Sequence, residues 1–356
     1  MSGAQQNMFP AYVREGRSRK RYKTGYISAS GEMVIPPTFD DGHPFRSRRA
    51  SVCRGGLWGA LDELGKLVIP LLFPSPLIFT EGFSSFSVGN LRGVVDRQGN
   101  IVVDPRFEYI SDFSEGVACA KNNGLYGFID TGGNEVIPFI FDDARGFSEG
   151  LAAVSMGGMW GYIDRRGVPV IAPQFVCKRG IAGPFREGRA RVALKDRWGH
   201  IDRNGEFTTA PRYDMALEFS EGLAKVELNK RYGFVNNVGE LVVDSVHIYA
   251  RDYSEGLAAV EPELSADKGH ENGVKFEKVG FIDKSGNSAI STKFFSAASF
   301  RHGLCLVETE KRIGYIDSTG EFIWSSGWVE IGQIDPHHLL PVESDFPLAQ
   351  STVGES

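Results

Sequence analysis

Short apolar segments recur along the chain in the alternating pattern of β-strands, and glycine-containing turns separate them. Residues 151–154, 160–164 and 168–171 read as three successive strands. An Asp-x-x-Gly sequence joins the last two, in which the aspartate can accept hydrogen bonds from backbone amides and the glycine can take a positive φ. Long stretches with helical spacing of apolar residues do not occur. The pattern therefore predicts an all-β fold.

The strand pattern is repeated nine times in one register. Each copy contains a leading glycine that follows an aromatic residue in its clearest versions, as in Trp160-Gly161. The leading glycines are Gly25, Gly59, Gly93, Gly127, Gly161, Gly199, Gly233, Gly280 and Gly314. Six of the eight spacings between them are 34 residues, and the other two are 38 and 47. A fixed period of this length predicts a tandem array of about 34-residue units, each too small to form a core alone.

Further positions keep the same register. A second glycine follows each leading glycine by six residues, and a ring follows it by fourteen. The rings are Phe39, Phe73, Phe107, Phe141, Phe175, Tyr213, His247, Phe294 and Trp328. Prolines such as Pro138 and Pro173 come after the third strand, where we expect them to stop sheet pairing. A fourth, very short strand is predicted within residues 141–144.

The strand that precedes each leading glycine predicts how units pack. Its second position is small (Ala50, Ser84, Ala118, Ala152, Ala190, Ala224, Ala258, Cys305), and its fourth is mostly valine. Alternate residues share a sheet face, so this face suits close stacking of neighbouring units. The third position varies (Ser85, Cys119, Ala153, Arg191, Lys225, Leu306), and we expect it to face solvent or a partner in some units.

Two architectures fit nine such units. One is a β-propeller, with a short inner strand and three longer strands in each blade, and the other is an open β-solenoid or superhelix. Nine units exceed the usual four to eight blades, which favours the open form. Strand-like residues at both ends, 11–13 and 339–342, favour closure of a ring by pairing, but would also serve as caps. The sequence favours the propeller slightly, with residues 1–342 forming the array and residues 343–356 a disordered tail.

Composition and charge narrow the classes of partner. The net charge of −6 and pI near 5.7 argue against nucleic acid or an anionic membrane as the main partner. No apolar run approaches the length of a membrane span, and residues 1–17 lack the apolar stretch of a secretory signal, so we expect a cytoplasmic protein. Residues 11–58 are nevertheless basic, with ten basic and four acidic side chains, which suits either an acidic partner or a solvated end unit.

The candidate chemical groups are mostly repeated, and this favours structural roles. The turn aspartate occurs in seven units (Asp62, Asp96, Asp130, Asp164, Asp202, Asp283, Asp317), whereas a catalytic residue is needed only once. The Phe-x-Glu-Gly glutamates (Glu115, Glu149, Glu187, Glu221, Glu255) are interpreted in the same way, with a cation-attracting rim as the alternative. Trp58, Tyr126, Trp160, Trp198 and Tyr232 are expected to pack between units, with stacking on sugars or choline-like cations as the alternative.

Residues with metal or redox chemistry give no coherent site. His200 replaces a tyrosine and His302 a signature glutamate, and neither lies near another histidine at ligand spacing. His337 and His338 are adjacent, so on a strand they would point in opposite directions. Cys53, Cys119, Cys177 and Cys305 lie far apart, and we expect reduced thiols. The sequence predicts no metal and no cofactor.

The motifs resemble a known family. The copies within residues 147–173 and 116–138 are similar to the bacterial WG repeat, and the resemblance extends over about residues 10–335. Four copies lack its aromatic residue and have Thr24, Arg92, Val279 or Ile313 instead. The resemblance implies a β-rich repeat fold and a mostly bacterial origin, but no single activity and no catalytic residues.

Three functions remain as hypotheses. The first is a non-catalytic module that binds a protein through variable strand positions and through two insertions, near residues 176–182 and 261–274. The second is a protein that binds glycans or small cations through exposed aromatic residues. The third, for which no catalytic motif is present, is an enzyme with a site in a central channel.

Overall fold

The computed structural model describes residues 7–14, 22–177, 180–261, 278–309 and 312–327. Within these residues the chain forms nine small antiparallel sheets and no helix, which confirms the all-β prediction. Sheet 1 contains β1 (Met8–Arg14), β2 (Tyr22–Ser28) and β3 (Met33–Phe39). Sheet 2 contains β4 (Asp41–Gly42), β5 (Ala50–Arg54), β6 (Leu57–Leu61) and β7 (Leu67–Phe73). Sheet 3 contains β8 (Phe83–Val88), β9 (Leu91–Asp96) and β10 (Ile101–Phe107).

Sheets 4 to 9 follow in chain order. Sheet 4 contains β11 (Tyr109–Ile110), β12 (Val117–Asn122), β13 (Leu125–Asp130) and β14 (Glu135–Phe141). Sheet 5 contains β15 (Asp143–Ala144), β16 (Ala152–Met156), β17 (Met159–Ile163) and β18 (Pro169–Phe175). Sheet 6 contains β19 (Ala190–Leu194), β20 (Arg197–Ile201) and β21 (Phe207–Tyr213). Sheet 7 contains β22 (Met215–Ser220), β23 (Leu223–Leu228), β24 (Arg231–Asn236) and β25 (Leu241–His247). Sheet 8 contains β26 (Tyr249–Ala250), β27 (Ala258–Glu261), β28 (Val279–Ile282) and β29 (Ser288–Phe294). Sheet 9 contains β30 (Ser296–Ala297), β31 (Cys305–Glu308), β32 (Arg312–Ile316) and β33 (Phe322–Gly327).

Strands lie in sequence order across each sheet, and the last one is the most exposed. Six of the nine sheets have an additional first strand, which is only two residues long in five of them. In sheet 5, β15 is the very short strand that was predicted near residue 143, and it pairs with β16. The last strand alternates between buried and exposed residues and so forms the outer edge. The middle strands are almost wholly buried because each sheet packs against a neighbour on both faces.

The leading glycines are required by a β-bulge in the last strand. Trp160 pairs with Phe175 while Tyr162 pairs with Ile171, so the last strand has two extra residues in this interval. The bulge brings the Ile171 carbonyl over Gly161, and a Cβ on Gly161 would lie 2.5 Å from that oxygen. The prediction that proline stops the strand is wrong, because Pro173 lies inside β18 within the bulge, where its missing N–H breaks no ladder.

The second glycine of each unit lies against the preceding sheet. A Cβ on Gly167 would lie 3.2 Å from the Ile137 side chain, and one on Gly205 the same distance from Ile171. At the ends of the array, a Cβ on Gly31 of sheet 1 would lie 2.6 Å from the Ile323 carbonyl of sheet 9. The ninth sheet therefore packs against the first, and the nine sheets form a closed ring. This is a nine-bladed β-propeller, and the open solenoid is wrong.

The small positions behave as predicted, but the variable position does not. Ala50, Ala152 and Ala190 are fully or almost fully buried. The third position of the same strand was expected to face solvent or a partner, yet Ala153 is also fully buried and Arg191 is only 2% exposed. Cys119 and Leu306 are buried as well, and only Ser85 and Lys225 are partly exposed. The expectation is wrong for the four buried residues, because the ring covers both faces of their sheets.

The turn aspartates are structural, as predicted. In each of the seven units one carboxylate oxygen accepts hydrogen bonds from the amides two and four residues later; Asp164 Oδ1 accepts from Arg166 and Val168, both at 2.9 Å. The following glycines have positive φ, as at Gly167. These bonds keep the pKa of Asp164 below its usual value, with the bond from the Val168 amide as the largest cause.

Several expectations concern residues outside the described ranges. These are Trp328, the strand-like residues 339–342, His337 and His338, and the tail 343–356. Cys53, Cys119, Cys177 and Cys305 are all buried thiols, with no disulfide among them. In the part of the chain that the structure describes, no helix of membrane-spanning length and hydrophobicity occurs.

Candidate functional site

The ring has two rims with different chemistry. The hairpin rim holds the hairpin tips at residues 55–56, 89–90, 123–124, 157–158, 195–196 and 229–230, together with the links from one sheet to the next. Hydrogen bonds join links and tips, as from the Gly157 amide to Asp142 Oδ2 at 2.6 Å. The turn rim, at the opposite end of the strands, holds the Asp-x-x-Gly turns and the Glu-Gly turns.

On the turn rim, signature glutamates link neighbouring sheets. Each one accepts a hydrogen bond from the Glu-Gly turn, or its Gly303 equivalent in sheet 9, of the following sheet. Glu81 accepts from the amides of Glu115 and Gly116 at 2.7 and 2.8 Å. The same contact is made by Glu115, Glu149, Glu187, Glu221 and Glu255 to Gly150, Gly188, Gly222, Gly256 and Gly303. We call this series the glutamate ladder.

Three glutamates of the ladder, Glu115, Glu149 and Glu221, also lie near cations. Arg165 lies 3.7 Å from Glu115, and Lys284 lies 3.1 Å from Glu221. Each cation comes from the Asp-x-x-Gly turn of the following sheet. The glutamates are thus structural, as the sequence indicated, and they hold the sheets together.

On the hairpin rim, four consecutive sheets expose apolar side chains. Two residues before the leading glycine stand Leu57, Leu91, Leu125 and Met159, each 40% to 43% exposed. Val88 and Met156 lie opposite Leu91 and Met159 in their hairpins and are 59% and 44% exposed. We call Leu57, Val88, Leu91, Leu125, Met156 and Met159 the apolar arc. The tips between these residues contain only glycine and asparagine. Charged groups border the arc, because Arg54 lies opposite Leu57 and the carboxylates of Asp40, Glu108 and Asp142 accept hydrogen bonds from tip amides.

The remaining sheets have basic residues at the same position. Arg197, Arg231, Lys278 and Arg312 belong to sheets 6 to 9, and Lys23 belongs to sheet 1. We call these five residues the basic arc. Two members are paired on the rim itself, Arg197 with Asp214 and Lys23 with Asp40. At this one position the hairpin rim is therefore divided into an apolar half and a basic half, although Leu194 is 41% exposed opposite Arg197 and Arg54 lies opposite Leu57.

Both insertions and part of the basic N-terminal run leave from the hairpin rim. The first insertion follows β18 in the link to sheet 6, and the second lies between β27 and β28, where other sheets have a hairpin tip. Arg17, Arg19, Lys20 and Arg21 lie between β1 and β2, at the hairpin of sheet 1, and are outside the described residues. Arg48 and Arg49 lie instead on the turn rim, where Arg48 pairs with Glu63 at 2.8 Å.

The faces of several WG-position aromatics are covered by cations of the protein itself. Arg145 lies 6.0 Å from the Trp160 ring centre and Arg191 lies 5.1 Å from that of Trp198. Lys121 and Lys225 are placed similarly over Tyr126 and Tyr232. Trp160 and Trp198 are almost fully buried, so their main role is packing, as predicted.

A buried polar cluster lies between sheets 6 and 7, and its ion pair recurs one unit later, where Lys225 lies 3.2 Å from Asp252. Arg191 pairs with Glu218 at 2.7 Å, and their side chains are only 3% and 13% exposed. His200 Nε2 lies 2.7 Å from the Leu217 carbonyl, and burial lowers the pKa of His200 to about 4. The sequence indicated that position 200 differs from other units, but not that Arg191 and Glu218 would meet. Its enclosure and internal pairing suit an inter-sheet contact and leave little room for a substrate.

No group of three or more potential metal ligands occurs among the described residues. His200 lies in the cluster above, whereas His302 lies on the turn rim of sheet 9 in the place of a glutamate, so the two are not brought together.

Comparison with known proteins gives a family and a fold. The model of the WG containing repeat matches residues 25–58, 58–91, 93–126, 126–160, 160–198, 198–232, 232–261 and 280–312. No curated protein matches the sequence. The crystal structure of the eukaryotic initiation factor is similar with a TM-score of 0.62 at 13% identity, over 92% of this chain and 96% of that chain.

Two other solved structures are more distant. Hsv2 of Kluyveromyces lactis gives a TM-score of 0.39 at 12% identity, over 70% of this chain and 89% of that chain. PorZ of Porphyromonas gingivalis gives 0.35 at 11% identity, over 90% and 52%. At these identities the likeness to the initiation factor concerns the fold alone, and the other two carry no argument. The eight matched units cover most of the sequence, and the chain therefore belongs to the family of WG-containing repeat proteins.

Proposed function

We propose that this chain is a non-catalytic protein-interaction module of the bacterial cytoplasm, and that its partner binds the hairpin rim. The observation that carries the proposal is the apolar arc. Six large apolar side chains, each at least 40% exposed, lie on four adjacent sheets. Isolated exposed apolar residues are ordinary on protein surfaces, but a group of them gathered on one rim favours a binding surface.

The charge of the neighbouring half indicates the chemistry of the partner. A surface that meets both arcs has to present apolar side chains beside acidic ones. The basic residues between β1 and β2 add to the positive side of the same rim. Both insertions start and end there as well, and insertions in repeat proteins commonly lie on the working face. The proposed partner is therefore a protein with an apolar patch bordered by carboxylates.

Binding of glycans or small cations has less support. That function requires accessible aromatic faces, and protein cations already cover four of the candidate rings. The apolar arc itself contains leucine, valine and methionine, which lack the flat ring that stacks on sugars or holds a quaternary ammonium group.

The test compares two pairs of substitutions with similar starting exposure. L91E/L125E places charge in the apolar arc, whereas V168E/V170E places it beside the Asp-x-x-Gly turn of sheet 5, at the opposite rim, where the side chains are 48% and 49% exposed. Crosslinked capture from bacterial lysate should recover the same proteins with wild type and V168E/V170E, and lose them with L91E/L125E. The captured proteins should dissociate more readily at high salt, because the basic arc contributes through screened charges. Equal capture by both variants would contradict the assignment of the rim.

A further inference from the structure

A cavity of about 130 Å³ reaches the turn rim and is lined by residues of sheets 9, 1 and 2. One wall crosses sheet 9, where the Ala298 amide donates to the Leu306 carbonyl and Leu306 pairs with Tyr315. Side chains directly opposite each other on neighbouring strands share one face, so these three form one wall together. Met8 of β1 and Phe45 of sheet 2 contribute to the other walls. The inner walls are therefore apolar.

The cavity has room for one small ring. Apolar cavities of about 150 Å³ take up benzene. The small side chain of Ala298 contributes to this space, because sheets 3 and 7 have Leu77 and Leu217 at the same position of the repeat. Leu77 is almost fully buried, so a leucine at this position fills the inner space in sheet 3. The size of the cavity therefore selects a ligand whose apolar group is no larger than one ring.

Charged groups border the apolar walls. Arg48, Arg301 and Glu63 line the cavity at the turn rim. Arg48 Nε lies 2.8 Å from Glu63 Oε2, and the same guanidinium group has further N–H donors. With His302 counted as neutral, two arginines and one glutamate give these groups a net charge of +1. The border of the cavity therefore attracts an anion.

Arg48 stands where the repeat has glycine. In sheets 3 to 9 the equivalent residues all have positive φ, and they are Gly82, Gly116, Gly150, Gly188, Gly222, Gly256 and Gly303. Arg48 has the same left-handed backbone with φ +66°, which a side chain adopts only at an energetic cost. Strained residues of this kind cluster at sites that bind ligands. The conformation of Arg48 is therefore a second indication of binding, in addition to the cavity itself.

The signature positions beside the cavity carry no carboxylate. Sheet 9 has His302 and sheet 2 has Ser47 where sheets 3 to 8 have the glutamates of the ladder. Both residues line the cavity, so a carboxylate at either position would repel an anion there. The replacements that set this sector of the turn rim apart therefore suit an anionic ligand.

We propose that this cavity binds a small organic monocarboxylate whose apolar part is the size of one ring. The ring packs on Tyr315 and Leu306, and the carboxylate accepts hydrogen bonds from Arg48 and Arg301. A guanidinium group is planar and matches a carboxylate with two parallel N–H donors. One negative charge balances the net charge of the border, whereas a phosphate ester would leave an excess beside Glu63. The site lies on the opposite rim from the apolar arc, so it is separate from the proposed partner surface.

Saturation-transfer NMR of the full chain with phenylacetate tests the proposal. For a ligand of about ten non-hydrogen atoms we expect a dissociation constant on the order of 1 mM. Phenylacetamide has the same shape without the charge and should bind at least about tenfold more weakly. Phenyl phosphate should bind no more tightly than phenylacetate. No saturation at about 10 mM phenylacetate, equal binding of phenylacetamide, or tighter binding of phenyl phosphate would each overturn the proposal.

Two arginine substitutions locate the group that holds the carboxylate. R301S and R186S change the same position of the repeat, and Ser148, Ser220 and Ser254 occupy that position in other sheets. Arg186 is exposed on sheet 6, so R186S is the matched control. We expect R301S to weaken phenylacetate binding about tenfold and R186S to leave it unchanged. If both variants bind phenylacetate alike, Arg301 does not hold the carboxylate and the proposal fails.

Two further variants separate binding from folding. A298L introduces the leucine that sheets 3 and 7 have at this position, so the chain should keep its thermal midpoint while the filled cavity loses phenylacetate binding. R48G restores the glycine of the repeat and removes the backbone strain. It should melt no lower than the wild type but bind phenylacetate about fivefold more weakly. Phenylacetate binding at the wild-type affinity in either variant would overturn the assignment of this cavity.

Discussion

At the scale of single residues, the repeat explains the role of most side chains. Residues that depart from the repeat can be tested by substitution. His200 stands where Tyr26, Tyr162 and Tyr315 stand in other units, and its Nε2 atom occupies the place of their hydroxyl groups. A neutral imidazole can donate this hydrogen bond, but a buried charged one has lost its hydration. Substitution by tyrosine keeps the bond and removes the titration.

We predict that H200Y reduces the pH dependence of stability between pH 7.5 and 5. The pKa of His200 is lowered to about 4 by burial, whereas in the unfolded chain it is about 6.5. The unfolded chain therefore gains a proton first as the pH falls, and the wild type should lose about 2 kcal/mol of unfolding free energy over this interval. Urea denaturation at the two pH values measures the difference. If the wild type and H200Y lose equal stability, the imidazole is not the cause.

A second residue-scale prediction concerns the leading glycine. In G161A the new methyl group would lie 2.5 Å from the Ile171 carbonyl oxygen and 2.7 Å from the Pro173 nitrogen, so the backbone has to move. We expect a loss of about 3 kcal/mol. The control is G158A, at a hairpin tip with φ +75° and no atom within 4 Å of the added carbon, which should cost about 1 kcal/mol. A loss for G161A no larger than that for G158A would show that the close approach does not explain the requirement for glycine at position 161.

At the scale of elements, the glutamate ladder joins one sheet to the next without any strand pairing between them. Glu221 accepts from the amides of Glu255 and Gly256 and pairs with Lys284. Burial works to raise the pKa of Glu221, but the Gly256 amide and the lysine lower it by more. A carboxylate whose pKa is lowered in the folded state stabilises above its unfolded pKa, near 4.3, and loses that contribution as the pH falls below it.

We predict that E221Q lowers the unfolding free energy by about 1 kcal/mol at pH 7 and by less at pH 3. The amide keeps one acceptor but loses the charge and one of the two amide contacts. E206Q is the matched control, because the Glu206 side chain is exposed on an Asp-x-x-Gly turn of the same rim. Thermal denaturation of both variants at pH 7 and pH 3 provides the measurement, and a pH-independent loss in E221Q would contradict the electrostatic explanation.

The elements also show where sequence reasoning succeeds. The turn aspartates and the very short strand could be predicted, because their determinants lie within a few residues of one another. The continuation of β18 through Pro173 could not, because the bulge depends on contact with Gly161 across the sheet. The regular spacing of the ladder glutamates can be seen in the sequence. That spacing does not reveal that each glutamate accepts a hydrogen bond from the following unit.

At the scale of the whole molecule, closure could not be decided from the sequence. The small residues at Ala152 and its equivalents predict that sheets stack, and they do. Whether stacked sheets form a ring depends on the angle between them, which is set by contacts such as that of Gly167 on Ile137. The variable position was misjudged for the same reason, since only a ring covers both faces of each sheet. The apolar arc was likewise missed, because its members come together only when the units are placed around an axis.

We predict that removal of one complete unit, residues 93–126, gives a folded protein with a lower thermal midpoint. The new junction rebuilds the stacking contacts, but eight sheets have to turn further from one to the next than nine do. Small-angle scattering should show a smaller compact particle, and calorimetry should show the loss of stability. An unchanged midpoint would mean that the angle between sheets is freely adjustable, and an extended particle would mean that eight units cannot close.

The spacing of the glutamate ladder has a consequence for how such chains arise. Its contacts join residues 34 or 35 positions apart in most units, which is one repeat or one repeat plus one residue. A duplicated gene segment of that length therefore enters the array with its partners already in place on both sides. The number of units that duplication can add is therefore limited by how many sheets can close into one ring, and not by the contacts that form between the new unit and its neighbours.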